Sequence, residues 1–165
     1  MTGCDDAGLS ALARRVAAQL AARNLKLVTA ESCTGGYLAK LLTVSPGSSA
    51  WFECGWVCYS NAAKQRDLGV RGDTLAEHGA VSEDTVIEMA RGALERGDAD
   101  VAISISGVAG PDGGTERHPV GEVWFGLALR EGAFGVQARR ERFGGDRDTV
   151  RRQSAALALG WLLEN

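Results

Sequence analysis

A three-layer α/β/α sandwich with a mixed sheet, a single domain over residues 1–165, is the fold class this sequence predicts. Helical and strand periodicities alternate through the first two-thirds of the chain, the signature of strands laid parallel with helices on both faces. Two apolar strand patterns then follow in immediate succession, which adds an antiparallel pair to that sheet. At 165 residues the chain can bury one sizeable core without disulfide or metal staples.

The elements follow in order. Leu9, Leu12, Val16 and Leu20 recur at helical spacing with arginines between them, so the first element is an amphipathic helix. LKLVTA, residues 25–30, forms a short apolar strand. A second helix is expected from Thr34 to about Leu42, ended by SPGSS. WFECGWVCYS, residues 51–60, has the aromatic and β-branched content of a strand. A short helix after Asn61 carries Lys64 and stops near Gly69. Ser82 reads as an N-cap, and the acids at 83 and 84 suit the positive end of a helix dipole. Val86, Met89, Ala90 and Ala93 form the buried stripe of that helix, which Gly97 closes. DVAISIS, residues 100–106, alternates as a strand and runs into the glycine-rich loop GVAGPDGGTERHP. Residues 121–129 and 136–143 form an antiparallel hairpin around Arg130–Gly135, and a last helix runs from about Asp146 to Leu163. No internal repeat or low-complexity linker interrupts the pattern.

Composition excludes several classes. A net charge of -3 supplies no global basic field, so nucleic acid is not an expected partner. The acidic start MTGCDDAGLS lacks the basic-then-apolar order of a secretory signal, and no run of about 18 apolar residues suits a membrane span. Cys4, Cys33, Cys54 and Cys58 follow no zinc or redox spacing and read as reduced thiols, so a cytoplasmic setting is expected. No metal and no cofactor is expected.

Chemistry concentrates in TAESCTGG, residues 29–36. If a strand ends and a helix begins there, Ser32 lies on the turn between them, where free N–H groups can hold an oxyanion or a phosphate. Gly35 and Gly36 would let a substrate approach the backbone closely. Ser32 or Thr34 could equally be a simple N-cap. A nucleophilic serine needs a base, and the chain offers two histidines, His78 and His118. A Ser-His-Asp arrangement with His118 and Asp112 lacks any G-x-S-x-G elbow. Lysine is the other candidate. Only three of the 18 basic residues are lysine (Lys26, Lys40 and Lys64). Where charge alone suffices this chain uses arginine, so a retained lysine points to a need for a group that can lose its proton. Lys64 follows YSNAA just after a strand, placed either to turn into a cleft or to sit solvated on a short helix. Cys33, beside Ser32, is expected to face the core. The loop GVAGPDGGT matches neither a Walker motif nor a dinucleotide fingerprint. The spacing of Asp112, Glu116 and His118 matches no ordinary metal-ligand set.

Taken together, TAESCTGG, GSSAWFECGWVCYSNAAK, HGAVSE, SISGVAGPDGG, PVGEVWFG and GDRDTVRRQ resemble the CinA C-terminal domain family, in order over residues 27–160. The resemblance implies a nicotinamide mononucleotide deamidase of the stand-alone type, without the additional N-terminal domain of longer members. It also implies a Ser/Lys amidohydrolase in which Ser32 is the nucleophile and Lys64 the base. Tyr59 is then expected to orient the lysine or relay a proton. Cys58 stands where many relatives have Thr or another small residue, with little expected consequence.

In the mechanism that follows, neutral Lys64 takes the proton of Ser32, whose oxygen attacks the nicotinamide carboxamide; ammonia leaves, and water releases nicotinate mononucleotide. Backbone N–H groups around Thr34, Gly35 and Gly36, or in the loop from Ser106 and Gly107 to residue 110, are the expected oxyanion donors. For Lys64 to work near neutrality its pKa must fall from about 10.4 to roughly 7–8. Arg147, at a helix start after two glycines, is the expected phosphate contact, unless it is only an exposed first-turn arginine offset by Asp146 and Asp148. Exposed aromatic strands point to a homodimer. Two other readings stand beside this one: a non-catalytic partner protein in competence or DNA-damage responses, and an amidase for a different small amide.

Overall fold

The computed structural model describes residues 4–130 and 135–165. Five strands form one sheet in the order β2-β1-β3-β4-β5. β1 (Leu27–Glu31) lies parallel to both β2 (Phe52–Val57) and β3 (Val101–Gly107). β4 (Glu122–Leu129) and β5 (Val136–Arg142) continue the sheet antiparallel, as the successive strand patterns predict. The hairpin tip, residues 131–134, falls outside the described residues.

Side-chain alternation along the strands divides the core into two layers. Leu27, Ile103, Ile105, Phe125 and Leu127 face α1 (Asp6–Arg23), α2 (Tyr37–Thr43) and α6 (Arg147–Glu164), with Trp161 of α6 fully buried among them. Val28, Ala30, Ala102 and Ala128 face the other way, onto α3 (Asn61–Leu68), α4 (Gly72–His78) and α5 (Glu83–Arg96). Small residues on this second face let α5 approach closely. A Cβ on Gly126 would sit 2.4 Å from the Val86 carbonyl oxygen, and Ser104 Oγ donates to that same oxygen at 2.6 Å. The architecture is therefore the three-layer sandwich with a mixed sheet expected from the sequence.

Three details differ from the sequence reading. The first strand is shifted, starting at Leu27 and running through Glu31. The second helix starts at Tyr37, not Thr34, because Gly35 and Gly36 hold φ of 60° and 87°, left-handed values that a right-handed helix cannot contain. The seven-residue helix α4 was not expected; it has no side-chain cap, and its first turn begins with glycine. The Ser82 cap matches, accepting from Thr85 N–H; Ser60 and Asp146 cap α3 and α6 in the same way, accepting from Ala63 and Thr149 N–H.

The fold brings the carboxyl ends of the three parallel strands to one edge, where open α/β sheets place their ligands. Ser32 follows β1, Cys58 and Tyr59 follow β2, and Gly107 ends β3.

Candidate active site

A cleft of about 260 Å³ opens at that edge, lined among others by Ser32, Cys33, Tyr59, Lys64, Ser106, Gly107 and Arg147. Lys64 reaches it from α3, whose first turn is fixed by the Ser60 cap. Its side chain is fully buried, and Nζ lies 2.9 Å from Ser32 Oγ, 2.9 Å from the Cys58 carbonyl oxygen and 3.4 Å from that of Tyr59. All three partners are neutral, and among the described residues no carboxylate is bridged to this amine. Burial accordingly pushes the Lys64 pKa below its ordinary 10.5. Nζ donates to all three oxygens, two main-chain carbonyls and the Ser32 hydroxyl, and the same 2.9 Å contact lets the lone pair of a neutral amine accept the serine proton.

Ser32 itself is held by its backbone, whose N–H donates to the Ile105 carbonyl of β3 at 2.9 Å. The turn after it is built around Glu31. This carboxylate is fully buried and accepts from the N–H groups of Gly36, Leu38 and Ala39 at 3.0, 3.1 and 2.8 Å. The first donors of α2 are therefore occupied by the chain's own acid. Gly35 N–H in turn donates to the Ser32 carbonyl at 3.1 Å. Among the described residues the N–H groups of Cys33 and Thr34 find no acceptor oxygen, and these are the donors the turn leaves over.

Thr34, Gly35 and Gly36 do not line the cleft; the Thr34 side chain is fully buried and its carbonyl accepts from Arg151 Nη2 at 2.7 Å. Ser106 does line it, with its Oγ donating to the Ala80 carbonyl at 2.6 Å. Gly107 packs against β4 so tightly that a Cβ would meet the Glu122 carbonyl oxygen at 2.6 Å. Tyr59 meets the lysine through its main chain, while its phenol accepts from Arg147 Nη2 at 2.7 Å. Arg147 Nη1 donates to the Gly110 carbonyl at 2.8 Å, so this arginine spans the mouth of the cleft, and among the described residues its acceptors are neutral.

Cys33 is buried, and desolvation pushes its thiol up to about 12, which leaves it protonated and inert at neutral pH. Cys58 is also buried; what it gives the lysine is a carbonyl, so its side-chain identity does not enter the contact. His78 and His118 line a neighbouring cleft, where His118 Nδ1 lies 3.5 Å from Glu122 Oε2 and His78 Nδ1 lies 3.6 Å from Asp84 Oδ2. Neither faces Ser32. Among the described residues no three His, Cys, Asp or Glu side chains are grouped to hold a metal ion, and no helix is long and apolar enough to cross a membrane.

Two residues of the site region escaped the sequence reading. Glu31 gave a faint signal as an acid at a strand end beside glycines. Arg151 gave none, since its partner Thr34 is 117 residues away.

The molecule is thus an α/β sandwich with a buried serine and lysine in contact at the carboxyl edge of its parallel strands. The CinA C-terminal domain profile matches residues 9–165, and the chain belongs to that family. A relative from Escherichia coli (strain K12), named Nicotinamide-nucleotide amidohydrolase PncC, is 58% identical over 154 residues, covering 93% of this chain and 92% of that protein. One of the same name from Pseudomonas putida is 49% identical over 94% of this chain and 96% of its own. The crystal structure of a Competence-Damaged Protein (CinA) Superfamily Protein from Klebsiella pneumoniae superposes with a TM-score of 0.90 at 44% identity, covering 94% of this chain and 96% of that one.

Proposed function

We propose that this chain hydrolyses the carboxamide of nicotinamide mononucleotide to nicotinate mononucleotide and ammonia, with Ser32 as nucleophile and Lys64 as general base and acid. The observation that carries the reading is the 2.9 Å contact between Ser32 Oγ and a buried lysine amine whose partners among the described residues are all neutral. The names of the similar proteins from Escherichia coli and Pseudomonas putida supply the substrate.

The serine O–H proton passes to the Lys64 lone pair as Oγ bonds to the carboxamide carbon. The carbonyl oxygen becomes an oxyanion beside the Cys33 N–H, the leftover donor of the turn that belongs to a residue lining the cleft. Lysine then returns the proton to the departing nitrogen, the C–N bond breaks, and ammonia leaves an ester on Ser32. Water, deprotonated by the same amine, cleaves that ester to the carboxylate and restores the serine. Arg147, without a carboxylate partner among the described residues, reads the substrate phosphate from the cleft mouth.

Ammonia release from nicotinamide mononucleotide by the purified protein tests this directly. Turnover that falls to background in Ser32→Ala is expected. A protein that releases no ammonia from this substrate, yet does so from another small amide, would reassign the substrate and keep the chemistry.

A further inference from the structure

The turn that carries Ser32 is clamped from outside by a residue that does not line the cleft. Arg151 stands four residues after Arg147 on α6, on the same face of that helix. Its Nε and Nη2 both donate to the Thr34 carbonyl, at 3.1 and 2.7 Å. Among the described residues Arg151 has no carboxylate partner, so its charge rests on this one oxygen and on the face of the Tyr37 ring, whose centroid lies 5.8 Å from the guanidinium carbon.

What lies beyond that oxygen gives the contact its meaning. The amide whose carbonyl Arg151 holds ends in the Gly35 N–H, which donates to the Ser32 carbonyl at 3.1 Å. The amide of that second carbonyl ends in the Cys33 N–H, a donor without an acceptor oxygen among the described residues, on the residue directly after Ser32. Two peptide units thus stand in series between a guanidinium and the place where an oxyanion forms. Each carbonyl that accepts a hydrogen bond makes its own N–H a better donor, by about 10–30% per bond, and the head of this series is charged. The link is also geometric: Gly35 holds φ of 60°, in a glycine pair whose backbone is free to rotate unless something fixes it.

We propose that Arg151 is a positioning residue for catalysis, which orients and polarises the Cys33 N–H as an oxyanion donor through the Thr34–Gly35 and Ser32–Cys33 peptide units. The proposal rests on Ser32 being the nucleophile. It assigns Arg151 no contact with substrate, and it gives Arg147 and Arg151, two of the three arginines of α6, different roles. Arg147 acts on binding, and Arg151 acts on the chemical step.

The test compares the carboxamide substrate with its thioamide analogue, thionicotinamide mononucleotide, because sulfur accepts hydrogen bonds poorly and draws less on an oxyanion donor. In Arg151→Met, kcat on the carboxamide is expected to fall about 10- to 50-fold, less than the roughly 100- to 1,000-fold of deleting a donor outright. KM should stay within about 2-fold and the thioamide rate within about 3-fold, since neither draws on the polarised donor. Arg151→Lys, which keeps the charge and loses the fork, should fall between wild type and Arg151→Met on the carboxamide and serves as the folded comparison if the methionine variant does not fold. Equal losses on the two substrates, or an unchanged kcat in both variants, overturn the proposal. Ser32→Ala separates the nucleophile assignment from the role of Arg151. If it retains turnover, the nucleophile assignment has failed; if it is inactive while Arg151 variants lose both substrates equally, only the role of Arg151 has failed.

Discussion

Lys64 keeps its amine between two carbonyl oxygens and a hydroxyl, with no carboxylate bridged to it among the described residues, and burial there lowers its pKa. The buried Glu31 carboxylate one residue before Ser32 would be a ready counterion, but the N–H groups of α2 engage both its oxygens. A lysine that must be neutral to act makes two predictions. The kcat/KM profile should rise with pH through one ionisation that lies below the ordinary lysine value of 10.5, since burial lowers this pKa. Lys64→Arg, charged at every working pH, should be as inactive as Lys64→Ala; a near-wild-type rate in the arginine variant would remove Lys64 as the base. At the cleft mouth, Arg147→Ala should weaken kcat/KM about 10- to 100-fold for the mononucleotide, the worth of one charge-assisted hydrogen bond. The loss should be much smaller for the riboside, which has no phosphate. Equal losses would mean that Arg147 serves the Gly110 loop and not the substrate. The lysine was legible in the sequence because it stands against a background of arginine. The part played by Tyr59 was not: its phenol turns to an arginine 88 residues away, and its carbonyl serves the lysine. A sequence shows side chains, and here two of the three partners of the lysine amine are main-chain carbonyls.

At the scale of elements, the turn between β1 and α2 explains why the expected donors of Thr34, Gly35 and Gly36 are arranged differently. A helix beginning at Thr34 would have presented its first N–H groups to the cleft. Two left-handed glycines delay the helix to Tyr37, and Glu31 then closes over its N-terminus. Glu31→Gln should show the strength of this cap. A neutral amide keeps one acceptor but sets an NH₂ against backbone donors, so about 1.5–3 kcal/mol of stability should be lost. For a chain of this size that corresponds to a fall in Tm of about 3–10 °C in thermal unfolding; an unchanged Tm would mean that the cap is not what holds the turn. The strands and the capped helices were legible because their periodicity and their cap residues agree. The helix α4 was not, being seven residues long without a side-chain cap.

Over the whole molecule, the site is assembled from distant segments: the ends of β1 and β2, the loop after β3, and α6 folded back across the sheet. Fold class could be read from the order of patterns, whereas the meeting of α6 with residues 32–36 and Gly110 is a tertiary fact with no local trace. The buried lysine also leaves a mark on global stability. Its folded pKa is lowered, so below 10.5 the unfolded chain takes up a proton that the folded chain refuses. The contribution of Lys64 to stability is therefore fully present above pH 10.5 and is lost as pH falls toward the folded value. Lys64→Met removes this titration, so its Tm relative to wild type should rise as pH is lowered from about 10 to neutrality. A difference that does not vary with pH would mean that Lys64 titrates alike in both states. The central claim, an ester formed on Ser32 with Lys64 as its base, is tested most directly by acid-quenching the enzyme during turnover of nicotinamide mononucleotide and measuring its intact mass. The expected result is an added mass of the substrate acyl group, mapped to Ser32 and missing from Ser32→Ala, whose ammonia release is also at background. Ammonia released at the wild-type rate by a folded Ser32→Ala, or an adduct mapped to Cys33, would contradict it.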